Sequence, residues 1–232
     1  MGVSKRTDFF LYLLMALSVA AWGAESQSAG ISDDWKQLFN GRDLTGWKLI
    51  GQGQMTVENG SLKAGGEGTG LLYWTGGKIG NCILRVVYRM QHENDNSGVF
   101  IRIPIEPREE EMPINYGYEI NIDDHPERWG EDDYYVTGTL YSFTKALAHP
   151  GRPGPEWNTM DITLDGPHTI VVLNGAMVTD YTEGDPVPER KLDQDPERGR
   201  HPDEGWIGLQ GYSEKEVVLF KEVAVRPLHK PR

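Results

Sequence analysis

The chain of 232 residues contains one cysteine, Cys82. A disulfide framework is therefore excluded, and burial of apolar side chains must stabilise the fold. In Asn81-Cys-Ile-Leu-Arg-Val-Val-Tyr this cysteine reads as a small buried hydrophobe rather than a nucleophile. Basic residues are also scarce: 23 Lys and Arg stand against 35 Asp and Glu, giving a formal net charge of −12. Such a surface repels phosphate backbones and anionic membranes, which argues against nucleic acid as a partner. Long hydrophobic runs are missing too. The longest mostly apolar stretch, Phe9 to Ala21, is too short to span a bilayer. It follows Lys5-Arg6 and precedes the small residues of Ala21-Trp22-Gly23-Ala24, the charge, core and cleavage pattern of a secretory signal. The expectation is a signal peptide over 1–24 and a secreted or periplasmic chain without membrane insertion. No cysteine follows the run until Cys82, so a lipid-modified N-terminus has no attachment residue.

Helical periodicity, a constant repeat and a Ser/Gly/Pro linker are likewise lacking, which excludes solenoids and propellers and leaves residues 25–232 as one domain. What is present is alternation. Cys82 to Arg89, Gly98 to Ile103, Tyr118 to Asp123, Thr169 to Leu173 and Val217 to Val225 read as strands. Asn59-Gly60, Gly76-Gly77, Asp165-Gly166-Pro167, Asn174-Gly175 and Gly184-Asp185-Pro186 punctuate them as turns, the spacing of an all-β, two-sheet antiparallel sandwich rather than of βαβ units. Ile170 to Tyr181 reads as a hairpin closed by Asn174-Gly175. The charged, Pro-rich run from Pro186 to Pro202 is a long excursion of the kind that covers a site or moves.

Successive side chains of a strand point to opposite faces. In Asn96 to Ile103, the parity holding Val99, Ile101 and Ile103 is aliphatic, which assigns Asn96, Phe100 and Arg102 to the other face. In Tyr118 to Asp123, Ile120 and Ile122 take the core while Glu119, Asn121 and Asp123 point away together. Around Ile207 and Leu209, the outward residues are Trp206, Gln210 and Tyr212, and Tyr141 joins them opposite Leu140. This outward set combines an arginine, two carboxylates, amides and aromatic rings, the inventory of a carbohydrate groove. Solvent-facing positions on strands that are not neighbours would give the same parity.

Strand spacing limits the chemistry. Glu119 and Asp123 lie about 13 Å apart along a strand. The two carboxyl groups of a glycosidase stand roughly 5–5.5 Å (retaining) or 6.5–9.5 Å (inverting) apart, so this pair does not serve unaided. The six histidines (His92, His125, His149, His168, His201 and His229) show no metal-ligand spacing, and neither a Gly-x-Ser-x-Gly elbow nor a phosphate-binding glycine loop occurs. His125 and His149 adjoin the expected groove. No cofactor is required by any motif. The acidic stretches Glu106 to Glu111 and Asp123 to Asp133 would suit a divalent cation such as Ca²⁺, or are solvated loop charge.

Seven segments occur in order from about Trp35 to Leu228: Leu38-Phe39-Asn40-Gly41-Arg42-Asp43-Leu44-Thr45-Gly46-Trp47, Asn96 to Arg102, Gly117 to Ile120, Gly138 to Tyr141, Glu156-Trp157-Asn158, Leu173-Asn174-Gly175 and Gly205 to Gln210. Together they resemble the bacterial 3-keto-disaccharide hydrolase family. The resemblance implies a concanavalin A-like lectin/glucanase jelly roll, export, and cleavage of glycosides whose sugar was first oxidised at C3 by a separate sugar 3-dehydrogenase. A keto group at C3 acidifies the C2 proton, so the glycosidic bond can break by elimination followed by hydration, with one base rather than paired carboxylates. On this basis Glu119 is the expected base, Arg102 the group that holds the keto oxygen, and Asp123 a second acid or metal ligand. Asn96, Asn121, Tyr141, Trp206 and Gln210 would bind hydroxyls and ring faces. Glu156-Trp157-Asn158 reads as structural, with Trp157 in the core. A non-catalytic carbohydrate-binding module would use the same aromatics without a base. An endoglucanase-like glycosidase, suggested by Glu119-Asn121-Asp123, is disfavoured by the central Asn.

Overall fold

A computed structural model describes residues 1–2, 34–124 and 133–228. Most of the expected signal peptide, His125 and most of the second acidic stretch lie outside these residues. Among the described residues, eight strands form one antiparallel sheet in the order β11 (Ala176–Thr182), β10 (His168–Leu173), β9 (Asn158–Asp165), β6 (Cys82–Met90), β13 (Val218–Pro227), β4 (Ser61–Gly65) and β3 (Gln54–Glu58), with β1 (Lys36–Gln37) also paired to β13. Five more form a second sheet: β2 (Trp47–Gly51), β5 (Gly70–Trp74), β12 (Trp206–Gly211), β7 (Ser97–Ile103) and β8 (Tyr118–Ile122). One short helix, α1 (Met112–Tyr116), precedes β8. The chain is thus the all-β two-sheet sandwich its alternation predicts. Among the described residues no helix is long and apolar enough to cross a membrane.

The alternating aliphatics build the space between the sheets. Leu84, Val86 and Tyr88 of β6 join Val99 and Ile101 of β7, Ile120 and Ile122 of β8, and Ile207 and Leu209 of β12 in one buried cluster. Each such side chain contributes about 1.5–3 kcal/mol by leaving water. Cys82 sits in the same cluster, and burial pushes its thiol up to about 11, as an inert hydrophobe requires. The β10–β11 hairpin closes where Leu173 pairs with Ala176, and Asn174 (φ 49°) and Gly175 (φ 87°) take the two left-handed positions of a tight turn. The Asn40-to-Trp47 motif is a turn held by its own side chains. Asn40 Oδ1 accepts from the Arg42 and Asp43 amides at 2.8 and 3.0 Å, and Asp43 Oδ1 accepts from the Thr45 amide at 2.9 Å. The chain then enters β2, where the buried Trp47 indole donates to the Leu38 carbonyl at 2.9 Å.

Two expectations about facing are corrected. Arg102 has φ 55°, a left-handed bulge conformation, and across this point Phe100 pairs with Gly208 but Ile103 with Trp206. Three steps on β7 therefore match two on β12, and the extra residue inverts the alternation. Arg102 turns into the sandwich and Ile103 turns outward to join Phe100, Leu71 and Tyr73 in a separate cluster. Trp157 is not core. It stands half-buried with the Lys221 ammonium 4.5 Å and the Arg89 guanidinium 5.1 Å from its ring centroid.

Candidate active site

The pairing register lays out the outward face of the five-stranded sheet. Glu119 of β8 pairs with Phe100 of β7, which pairs with Gly208 of β12, which pairs with Tyr73 of β5. In the next row Asn121 pairs with Gly98, and Gln210 with Leu71. Polar groups thus occupy the β8 end of the face and apolar groups the β2–β5 end. The run from Thr137 to Tyr141 extends the polar end. It hydrogen-bonds along β8, the Tyr141 amide donating to the Glu119 carbonyl at 2.9 Å and the Asn121 amide to the Thr139 carbonyl at 3.0 Å.

A cavity of about 290 Å³ opens there, lined by Asn96, Ile114, Glu119, Asn121, Tyr141, Gln194, Gln210 and Tyr212. Six residues expected on the outward face, Asn96, Glu119, Asn121, Tyr141, Gln210 and Tyr212, meet around it. Burial, and secondarily the nearby Asp123 carboxylate, push the Glu119 carboxyl up to about 8 from its ordinary 4.5. Burial and the Glu119 charge likewise raise the Tyr141 phenol, so it stays a proton donor. The Gln210 amide oxygen is buried and has no hydrogen-bond partner, so it is an acceptor available to a hydroxyl.

The other expected site residues stand elsewhere. Asp123 is buried behind the cavity wall, where it accepts from Asn96 Nδ2 at 3.1 Å. It acts on Glu119 through charge. Trp206 lies about 7 Å further along the face than the Glu119 row, two residues of β12 beyond Gly208 at roughly 3.3 Å each, and packs edge-on to Tyr73 with centroids 6.0 Å apart. Arg102 is outside the site altogether. Its guanidinium donates to the carbonyls of Gly166 (2.8 Å), Pro202 (2.9 Å) and His168 (3.1 Å) and to Thr169 Oγ1 (3.1 Å), and so ties β7 to the β9–β10 turn across the sandwich. Gly205 packs against that bulge so closely that a Cβ would lie 2.5 Å from the Arg102 Cα. His149 lines a different cavity and pairs with Asp133 at 3.3 Å. Among the described residues no group of three His, Cys, Asp or Glu side chains converges as a metal site would require.

Two walls escaped sequence reasoning. Ile114 comes from α1, on the 104–117 segment that crosses the apolar end of the face and brings Glu110 against Gly51 of β2. Gln194 comes from the Pro-rich excursion, whose shape is fixed by the buried Asp195 and the half-buried Arg198. Asp195 Oδ2 accepts from the Lys191 amide (2.8 Å) and the Tyr135 hydroxyl (3.0 Å), and Arg198 donates to Ser142 Oγ and its carbonyl, both at 3.1 Å. Composition marked the excursion as covering a site, but no local pattern distinguishes Gln194 from its neighbours.

A family model described as a 3-keto-α-glucoside-1,2-lyase-like domain matches residues 34–226. The chain belongs to that family. A candidate glycosyl hydrolase from Parabacteroides distasonis superposes with TM-score 0.67 at 26% identity, covering 84% of this chain and 99% of that one. A Bacillus subtilis protein with a galectin-like fold gives TM-score 0.57 at 13% identity, with 83% and 94% of the two chains covered. The carbohydrate-binding module CBM66 of Bacillus subtilis gives 0.51 at 12% identity, covering 77% and 93%. The last two share the fold. No curated protein sequence matches the chain.

Proposed function

We propose that the domain cleaves glycosides carrying a keto group at C3 of the sugar, with Glu119 as the base that removes the C2 proton. One observation carries this reading: among the described residues, Glu119 is the only carboxylic acid lining the cavity, and amides and phenols surround it. Paired-carboxylate hydrolysis has no second member there, whereas elimination from a 3-keto sugar needs one base. In the first step the Glu119 carboxylate takes the C2 proton and the C–H electron pair forms the enolate of the C3 ketone. The enolate then expels the oxygen at C1, leaving a C1–C2 double bond, and the departing oxygen takes up a proton. Addition of water across that bond returns the 3-keto sugar, so the net change is hydrolysis. With Arg102 turned inward, neutral donors remain to hold the enolate oxygen, and Tyr141 and the Gln194 amide supply them.

The substrate requires a separate sugar 3-dehydrogenase acting earlier, and the N-terminal signal pattern supports cleavage by this chain outside the cytoplasm. Incubation with a synthetic 3-keto-glucoside in D₂O tests the chemistry. Wild type should release aglycone and exchange deuterium into C2, and Glu119→Gln should do neither; exchange that survives the substitution removes Glu119 from the base role. The likeness of fold to CBM66 favours a second reading, a binding module. Such a module would hold the ketosugar without releasing aglycone at any pH.

A further inference from the structure

We propose that Gly98 is a positioning residue: the side chain it lacks leaves the slot on β7 in which the Glu119 carboxyl lies. The inference rests on Glu119 being the base of the reaction above. Gly98 is the second residue of β7, paired with Asn121 on one side and adjacent to Gln210 of β12 on the other, because Leu209 pairs with Val99. Both of these neighbours line the cavity. A Cβ built on Gly98 would overlap Oε1 of Glu119 and stand 2.7 Å from both its Cδ and its Cγ. Glu119 is a diagonal neighbour across the strand pair, within reach of a long side chain, and it leans over the glycine so that its carboxyl rests between two amide-bearing positions.

Backbone conformation does not explain this glycine. It lies in an extended strand pairing, and no left-handed φ is found there, in contrast to Gly51 (φ 91°) or Gly138 (φ 89°). An alanine would fit the backbone and stabilise the strand by about 0.5–1 kcal/mol. The space over Gly98 is therefore what the site uses. Filling it drives the carboxyl out of the slot toward the open side of the cavity, where water solvates the charge and the C2 proton is no longer aligned.

The test combines Gly98→Ala, Glu119→Ala and the double variant. Gly98→Ala should lower kcat about 10- to 100-fold, the scale of a 1 Å misplacement, with the thermal midpoint nearly unchanged. In the Glu119→Ala background, where the Cγ and carboxyl that meet the added Cβ are gone, the same change should raise the thermal midpoint, as an alanine in a strand does with nothing to displace. A readout independent of turnover is the ¹³C NMR titration of the Glu119 carboxyl, assigned by its disappearance in Glu119→Gln. It should midpoint near 8 in wild type and at least about one pH unit lower in Gly98→Ala. If Gly98→Ala fails to fold, adding Glu119→Ala should restore folding by emptying the overlap. An unmoved titration, an undiminished kcat, or a misfolded variant that the second substitution does not rescue would overturn the proposal. A wild type inert toward 3-keto-glucosides would instead overturn the functional reading, while the titration still decides the role of Gly98.

Discussion

Replacing Glu119 by Gln should make the protein more stable, and increasingly so as pH rises. In the folded protein the carboxyl holds its proton to about 8, whereas in the unfolded chain it ionises at its ordinary 4.5. Below the lower value both states are protonated and Glu119 is neutral in its effect. Between the two values the unfolded state gives up the proton more readily, so folding becomes steadily less favourable, and above the upper value the penalty levels off. The gap between 4.5 and 8, at about 1.36 kcal/mol per pH unit, sets a ceiling of about 5 kcal/mol. The cavity is open on one side, and water entering it screens the charge, which brings the expected gain to roughly 2–3 kcal/mol at pH 9 and under about 1 kcal/mol at pH 5. Urea unfolding of wild type and Glu119→Gln at pH 5, 7 and 9 measures this directly, because equal m-values make the midpoint difference a stability difference. A difference that stays constant from pH 5 to 9 would refute the half-buried, proton-holding state of Glu119, and with it the physical basis for a base poised near neutrality.

The same reasoning reaches the surrounding residues. Asp123→Asn removes the second cause of the raised Glu119 value, so the midpoint of the kcat/KM pH profile should move down by about one pH unit; an upward move would place Asp123 elsewhere in the mechanism. Gln210→Leu removes an acceptor with no internal partner, and KM for a 3-keto-glucoside should rise about 10-fold with kcat little changed, the mark of a lost hydroxyl contact. Arg102→Met leaves three carbonyls without their buried donor, and chemical denaturation should show a loss of about 3–5 kcal/mol. The fraction that folds should keep kcat within about 2-fold, since the guanidinium touches no cavity residue; a selective loss of kcat would return Arg102 to the site.

Sequence alone decided the fold class and most of the cavity's lining. A two-residue period is a local property of the backbone, so wherever a strand runs unbroken, as in Tyr118 to Ile122, the face of each side chain follows from the order of residues. This is why Glu119, Asn121 and Gln210 could be placed on one face before any strand order was known. At Arg102 the same rule failed, because a bulge is stabilised by its partners and not by its own residue type. The guanidinium finds the His168 carbonyl and the Thr169 hydroxyl on the opposite sheet and the Gly166 and Pro202 carbonyls in connecting segments, and Gly205 leaves room for the displaced backbone. Nothing within Val99 to Ile103 announces those contacts. Strand order, the distance that separates Trp206 from Glu119, the arrival of Ile114 and Gln194, and the raised affinity of Glu119 for its proton are likewise tertiary facts. Each depends on which segments, far apart in the chain, pack around one carboxyl and keep water from it.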